Sequence, residues 1–286
     1  MGSIADLEFV VAPIAYLAGD HARVGYRVWP PSSRLPPESP PKEYHETRIH
    51  DCRPVAAGLD LDRSGFVVRR RRSQCANAQF YDDELVRRRY LPEVERTLVE
   101  ETGALAVFAF DHNVRSAIGA AEGRVGVRAP VDMAHNDYTE TSGPRRVREI
   151  LEERGRSDLA EHPTALVNAW RPIHGPVEDV PLAICEATST SRADFVPTDI
   201  QHYGEGDLSR PRHTGEIFSV RYNPAHRWFY VSSMAAEEIL FFKCWASARD
   251  GRARYTAHTG FVNPKPAPGA PPRESIEVRT LVVYRS

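Results

Sequence analysis

The chain has 286 residues, of which 41% are hydrophobic, 27% charged and 9% aromatic, with 37 Lys and Arg against 39 Asp and Glu. This composition excludes collagen, coiled coil and disorder as the main architecture, and the length allows a sizeable buried core. A formal charge of -2 gives no field for phosphate backbones or anionic lipid, and no window approaches the roughly 20 apolar residues of a membrane helix, so neither nucleic acid nor membrane is an expected partner.

Met1 to Asp20 lacks the basic start and unbroken apolar stretch of a secretory signal, and Asp6 breaks the acylation pattern, so the expected location is cytoplasmic. Apolar stretches cover 9–17 and 24–29, followed by a proline-dense loop from Pro30 to Pro41. Residues 55–68 read as one or two strands, and Arg69 to Arg72 as a solvated strand end or loop, with a nuclear import signal as the alternative. Tyr81-Asp82-Asp83 reads as a helix start. Leu91, Val94 and Leu98 carry an apolar stripe at helical spacing, Pro92 suits a first turn, and Gly103 marks the stop. A short buried strand is expected over 104–110, ended by a turn at Asp111-His112-Asn113, and a second helix over 145–153, closed by Gly155.

From about residue 166 the pattern becomes repeated β segments at 166–170, 182–187, 216–222, 227–232, 239–245 and 276–284, separated by turn-rich joints. Many short strands argue for a sandwich, jelly roll or barrel over a parallel α/β sheet. The expectation is a mainly β, α+β protein forming one domain over 1–286, with a helix-bearing cover over 1–103 and a core over 104–286. Cys52, Cys75, Cys185 and Cys244 are scattered without a C-x-x-C pair and are expected to be reduced.

Phosphate loops, dinucleotide fingerprints, nucleophile elbows and zincin helices are absent. Of the eleven histidines, only His135 is followed two places later by an acid, Asp137. On an extended segment the two side chains share a face and can offer an imidazole and a carboxylate to one metal while Asn136 turns away, although the same tripeptide also suits a surface turn. A third ligand would complete the 2-His-1-carboxylate triad of non-haem iron. His258 and His226 are the rivals; His258 is preferred because Arg273 and Ser275 follow at a next-strand distance. If 273–279 is extended, Arg273, Ser275, Glu277 and Arg279 share one face, and the first two can bind a carboxylate, although a solvent-facing polar stripe has the same pattern.

His135-Asn136-Asp137-Tyr138, Asn168-Ala169-Trp170-Arg171-Pro172, Tyr222-Asn223-Pro224, His258-Thr259 and Arg273-Glu274-Ser275-Ile276-Glu277-Val278-Arg279 occur in that order. The series resembles the CmcJ-like oxygenases, the group that includes cephalosporin methoxylase and gibberellin desaturase-like enzymes. The resemblance implies a double-stranded β-helix, or jelly roll, holding Fe(II) and using 2-oxoglutarate and dioxygen to oxidise a small molecule of secondary metabolism or amino-acid origin by hydroxylation, desaturation or ring formation. By position it implies His135, Asp137 and His258 as iron ligands and Arg273 and Ser275 as holders of the cosubstrate's distal carboxylate, with Tyr222, Asn168 and Arg171 as further contacts. Ala257 and Gly260 depart from the pattern around the distal histidine. An iron oxidase that does not consume 2-oxoglutarate and a metal-free jelly-roll binding protein are the alternatives.

Overall fold

The most apolar segments become the innermost strands. In the computed structural model, which describes residues 6–30, 32–36, 38–124, 126–128 and 131–285, all nine residues of Thr164–Pro172 are buried. That strand is central in a sheet and cannot show an in-out alternation. The N-terminal tract read for acylation and the prolines at 31 and 37 lie wholly or partly outside the described residues.

In chain order the strands are β1 (Phe9–Leu17), β2 (Val24–Val28), β3 (Lys42–Asp51), β4 (Phe66–Arg70), β5 (Ala106–Ser116), β6 (Val127–Arg128), β7 (His135–Asn136) and β8 (Thr164–Pro172). They continue as β9 (Leu182–Cys185), β10 (Phe195–His202), β11 (His213–Val220), β12 (Trp228–Tyr230), β13 (Glu238–Ala246), β14 (His258–Gly260) and β15 (Glu274–Val283). The helices are α1 (Asp83–Leu85), α2 (Leu91–Thr102), α3 (Ala117–Ala121) and α4 (Ser142–Glu153). A nine-stranded sheet runs β1-β3-β12-β9-β14-β7-β11-β10-β2 and a six-stranded sheet runs β4-β13-β8-β15-β5-β6. The two curled sheets form the expected jelly roll.

Period-two alternation divides the six-stranded sheet. Ala165, Val167, Ala169, Ile276 and Val278 pack with Val94 and Leu98 of α2, whereas Leu166, Leu281 and Val283 pack into another cluster with Ile150 of α4 and Phe218 of the nine-stranded sheet. Pro92 stands in the first turn of α2, and Gly103 caps it at φ +63°, where a side chain would be strained.

The N-terminal region departs from the expected helical cover. β1, β2 and β3 belong to the nine-stranded sheet and β4 edges the six-stranded one, so residues before 103 are woven into both. β3 reads KEYHETRIHD, in which only Ile49 is buried; one wet face leaves few apolar residues to announce the strand. Residues 55–68 contribute a 3-10 turn, Arg53–Gly58, and the start of β4, while Arg69 of the arginine run lies in β4 and pairs with Glu101 at 2.6 Å. The expected turn at Asp111-His112-Asn113 lies inside β5, because the polar side chains there face other polar groups across the ladder: Asn113 opposes Glu277 and Arg115 opposes Ser275. β10 was not expected; its apolar content is confined to Phe195, Val196 and Ile200.

Candidate active site

β7 and β14 lie side by side in the middle of the nine-stranded sheet, and the pairing sets His135 directly opposite His258. Their rings are 4.3 Å apart between centroids. Asp137 follows two residues after His135, and one donor atom from each of the three side chains lies within 4.8 Å of the others. The i,i+2 geometry on the extended segment and the choice of His258 over His226 agree with this arrangement. His226 is directed instead to Asp194, with Nε2 and Oδ2 3.2 Å apart.

Both imidazoles are oriented by the backbone. His135 Nδ1 lies 2.8 Å from the Met133 carbonyl and His258 Nδ1 3.0 Å from the Thr256 carbonyl. A carbonyl only accepts, so each Nδ1 carries the proton and donates, leaving the Nε2 lone pair for a ligand. Burial, reinforced by the neighbouring His258, pushes His135 down to about 4, and burial likewise lowers His258, so both rings are neutral near pH 7. His135 Nε2 stands 3.7 Å from Asp137 Oδ1. Asp137 Oδ2 accepts from Asn168 Nδ2 at 2.8 Å and from Arg279 Nε at 3.2 Å. Burial opposes ionisation of Asp137, but the Arg279 guanidinium, the two neighbouring imidazoles and the Asn168 hydrogen bond together outweigh it and keep the carboxyl far below its usual range. One carboxylate oxygen is therefore fixed by the facing sheet and the other is turned toward the imidazoles.

Two neutral imidazoles and one carboxylate, held by outer hydrogen bonds, suit a divalent transition metal and match the non-haem Fe(II) donor set. Beside the histidines a narrow cleft is lined by Arg115, Trp170, Arg273 and Glu277. Arg273 donates Nη1 to the Val180 carbonyl at 2.8 Å and lies over Trp170 at 5.5 Å, yet its buried Nε has no hydrogen-bond partner. Ser275 Oγ is also buried and unpartnered. Burial, with the nearby Arg115 charge, lowers the Arg273 guanidinium to about 10, which leaves it protonated at neutral pH. Unsatisfied buried donors are costly, and a carboxylate is the ligand that would satisfy an arginine and a hydroxyl together.

The remaining sequence candidates separate. Asn168 is at the site, bonded to Asp137. Arg171 is one residue out of phase with Asn168 and Trp170, so it emerges on the opposite face of β8; it lies over Tyr90 at 5.5 Å and donates to the Arg71 carbonyl. Tyr222 is 40% exposed and stacks on His45 with ring centroids 3.6 Å apart, outside the lining of the cleft. Arg279 and Arg115 were missed. Arg279 shares the Arg273-Ser275-Glu277 alternation, which was signal enough to place it inside, whereas Arg115 was hidden by the expected turn before it. Asn136 was also passed over: it donates Nδ2 to the Tyr138 and Cys244 carbonyls at 2.8 Å each and accepts from Thr256 N–H at 3.2 Å.

Among the described residues no helix is long and apolar enough to cross a membrane. A domain family described as "Oxidoreductase/YMDC permease-like domain" matches residues 14–283. The alpha-ketoglutarate-dependent dioxygenase phiK of Fungal sp. (strain ATCC 74256) is 30% identical over 233 residues, covering 78% of this chain and 79% of the relative. The hydroxylase/desaturase efuI of Hormonema carpetanum is 27% identical over 255 residues, covering 82% of each. The solved structure of the iron and alpha-ketoglutarate-dependent endoperoxidase NvfI superposes with a TM-score of 0.82 at 23% identity, covering 97% of this chain and 99% of that one, a likeness of fold. The chain belongs to the matched oxidoreductase family and, within it, to the CmcJ-like oxygenases that depend on Fe(II), 2-oxoglutarate and dioxygen.

Proposed function

We propose that His135, Asp137 and His258 hold the iron, and that Arg273 and Ser275 hold the distal carboxylate of 2-oxoglutarate, in an enzyme that oxidises a small secondary metabolite by hydroxylation, desaturation or ring formation. The observation that supports this most directly is the combination of two Nδ1-anchored imidazoles with a buried, unpartnered Arg273 Nε on the same cleft; Ser275 Oγ, two residues along β15, is buried and unpartnered as well. The bound metal supplies the coupling of 2-oxoglutarate decarboxylation to succinate and carbon dioxide with dioxygen-driven oxidation of the substrate.

The chain's own residues prepare this chemistry. Met133 and Thr256 carbonyls fix the imidazole tautomers, and Asn168 and Arg279 keep Asp137 ionised with one oxygen free. Phe242, 4.6 Å from His258 between ring centroids, and Trp170 wall the site with apolar surface and keep water from it. On the Asp137 side opens a second, larger cavity of about 650 Å³, within the range of small-molecule sites, and we assign the substrate to it. Four cysteines, all free and buried, support action in the reducing cytoplasm.

Anaerobic titration with Fe(II) and then 2-oxoglutarate tests the assignment. The wild type is expected to develop the visible metal-to-ligand charge-transfer band of a chelated keto acid, and the His135→Ala, Asp137→Ala and His258→Ala variants to lose it. A band retained in full by any one of them removes that residue from the triad, and iron binding without the band in the wild type overturns the cosubstrate assignment.

A further inference from the structure

The larger cavity is polarised. Its floor is Asp137 and Arg279, and its walls include Phe110, Tyr138, Ile200 and Ile217. The rim, at the far end of the β10–β11 hairpin, carries Arg128, His202 and His213. His202 and His213 are paired across the hairpin with ring centroids 6.0 Å apart, and Ser219, the partner of His135 in the neighbouring ladder, lies six residues from His213, roughly 20 Å of strand.

The lining carries four carboxylates and four arginines, but their pairing, in which Arg145 at 3.8 Å shares Glu149 with Arg146, leaves Arg128 over. Three of its carboxylates are already engaged: Asp111 by Arg279 at 2.9 Å, Glu149 by Arg146 at 3.1 Å, and Glu216 by Arg23 at 2.8 Å. Asp137 is held by Arg279 and belongs to the triad. Among the described residues no carboxylate stands within ion-pair distance of Arg128, and the two imidazoles beside it are also without an acid. The His202 ring lies near enough to Arg128 and His213 for both, after burial, to disfavour its protonated form. One arginine without an acid, flanked by two imidazole donors at one end of a mixed polar and apolar cavity whose other end reaches Asp137, is a receptor for a monoanion.

Resting on the active-site assignment above, we propose that the substrate is an amphipathic carboxylic acid, its apolar body lying along Phe110, Tyr138, Ile200 and Ile217 and its carboxylate held at the rim by Arg128 with His202 and His213. The carboxylate fixes which part of the apolar body reaches the floor, so Arg128 is a specificity-determining residue. Because the other three arginines of the lining are paired with carboxylates, the one arginine left over favours a carboxylate over a phosphate dianion.

The test is calorimetric titration of the anaerobic, iron- and 2-oxoglutarate-loaded protein with naphthalene-2-acetate, its methyl ester and 2-naphthylmethyl phosphate. Wild-type protein is expected to bind the acid at least about tenfold more tightly than the ester, Arg128→Gln to erase that preference, and Arg128→Lys to restore part of it. Equal binding of acid and ester, an acid preference that survives in Arg128→Gln, or no binding of the acid overturns the proposal; tighter binding of the phosphate overturns the carboxylate assignment. The charge-transfer band recorded on the same samples separates the two readings. Its absence in wild type refutes the active-site assignment, whereas a normal band without acid preference refutes only the substrate class.

Discussion

Asn136 holds the segments that carry the ligands without offering a ligand itself. It lies between His135 and Asp137 and is fully buried, and its amide ties three segments: the turn at Tyr138, β13 at Cys244 and the approach to β14 at Thr256. Replacing it with Ala removes three hydrogen bonds, worth about 1 kcal/mol each net and more where a buried group is left unsatisfied, so the loss is about 3 kcal/mol or more. For a chain of this size that lowers the melting temperature by about 5 °C or more, read by calorimetry of the metal-free protein. Because Thr256 also orients His258 through its carbonyl, the same change loosens the third ligand, and iron affinity is expected to fall by about tenfold or more, as for other outer-shell losses. Asn136→Leu, which keeps the volume, separates packing from hydrogen bonding and is expected to show the same loss of affinity. An Ala variant that melts within about 2 °C of wild type and binds iron equally well refutes the reasoning.

Arg273→Ala is expected to weaken 2-oxoglutarate binding by about ten- to a hundredfold, the equivalent of one charge-assisted contact, while Arg171→Gln, on the opposite face of the sheet, leaves it unchanged; titration of the charge-transfer band reads both. Gly143 packs under Trp245, where an added Cβ would stand 2.5 Å from the indole Cδ1, so Gly143→Ala should cost about 1 to 3 kcal/mol in denaturant unfolding despite its better helix propensity. Burial lowers His226 below its ordinary value of 6.5, with Asp194 only partly opposing this. The unfolded imidazole therefore takes up its proton at higher pH than the folded one, and stability contributed by the neutral ring is present above about pH 6.5 and lost as pH falls below it. His226→Gln is expected to flatten that part of the stability curve, and an unchanged slope refutes the assignment.

The chemistry was more legible than the scaffold. Arg273, Ser275, Glu277 and Arg279 alternate with Ile276 and Val278, so one strand displayed both its polar lining and its apolar back, and His135 and Asp137 needed only an extended backbone to converge. Applied to β8, the same rule separates Asn168 and Trp170 from Arg171, a distinction that matching to a family motif alone passes over. What was hidden has a common cause. β3 is a polar strand with one wet face, and β5 carries Asp111, Asn113 and Arg115 where a buried strand ordinarily carries apolar residues. A strand that lines a charged site must break the hydrophobic pattern by which strands are recognised, so the interior of β5 looked like a turn.

The first hundred residues support the site through hydrogen bonds and do not merely cover it. The Ala15 carbonyl of β1 accepts from Ala134 N–H at 2.8 Å, and Ala15 bridges Met133, whose carbonyl orients His135. Gly65, at φ +85°, offers its carbonyl to Thr256 Oγ1 at 3.1 Å, and a Cβ there would stand 2.4 Å from that hydroxyl oxygen; the Thr256 carbonyl in turn orients His258. The first and third ligands are thus each linked to the N-terminal region through two hydrogen bonds, and the second is held by Asn168 and Arg279 from the six-stranded sheet. Each corner of the triad draws its orientation from a different part of the chain. A site distributed in this way forms only when both sheets and their N-terminal strands are in register, which makes iron affinity a sensitive report of folding in regions that carry no catalytic motif.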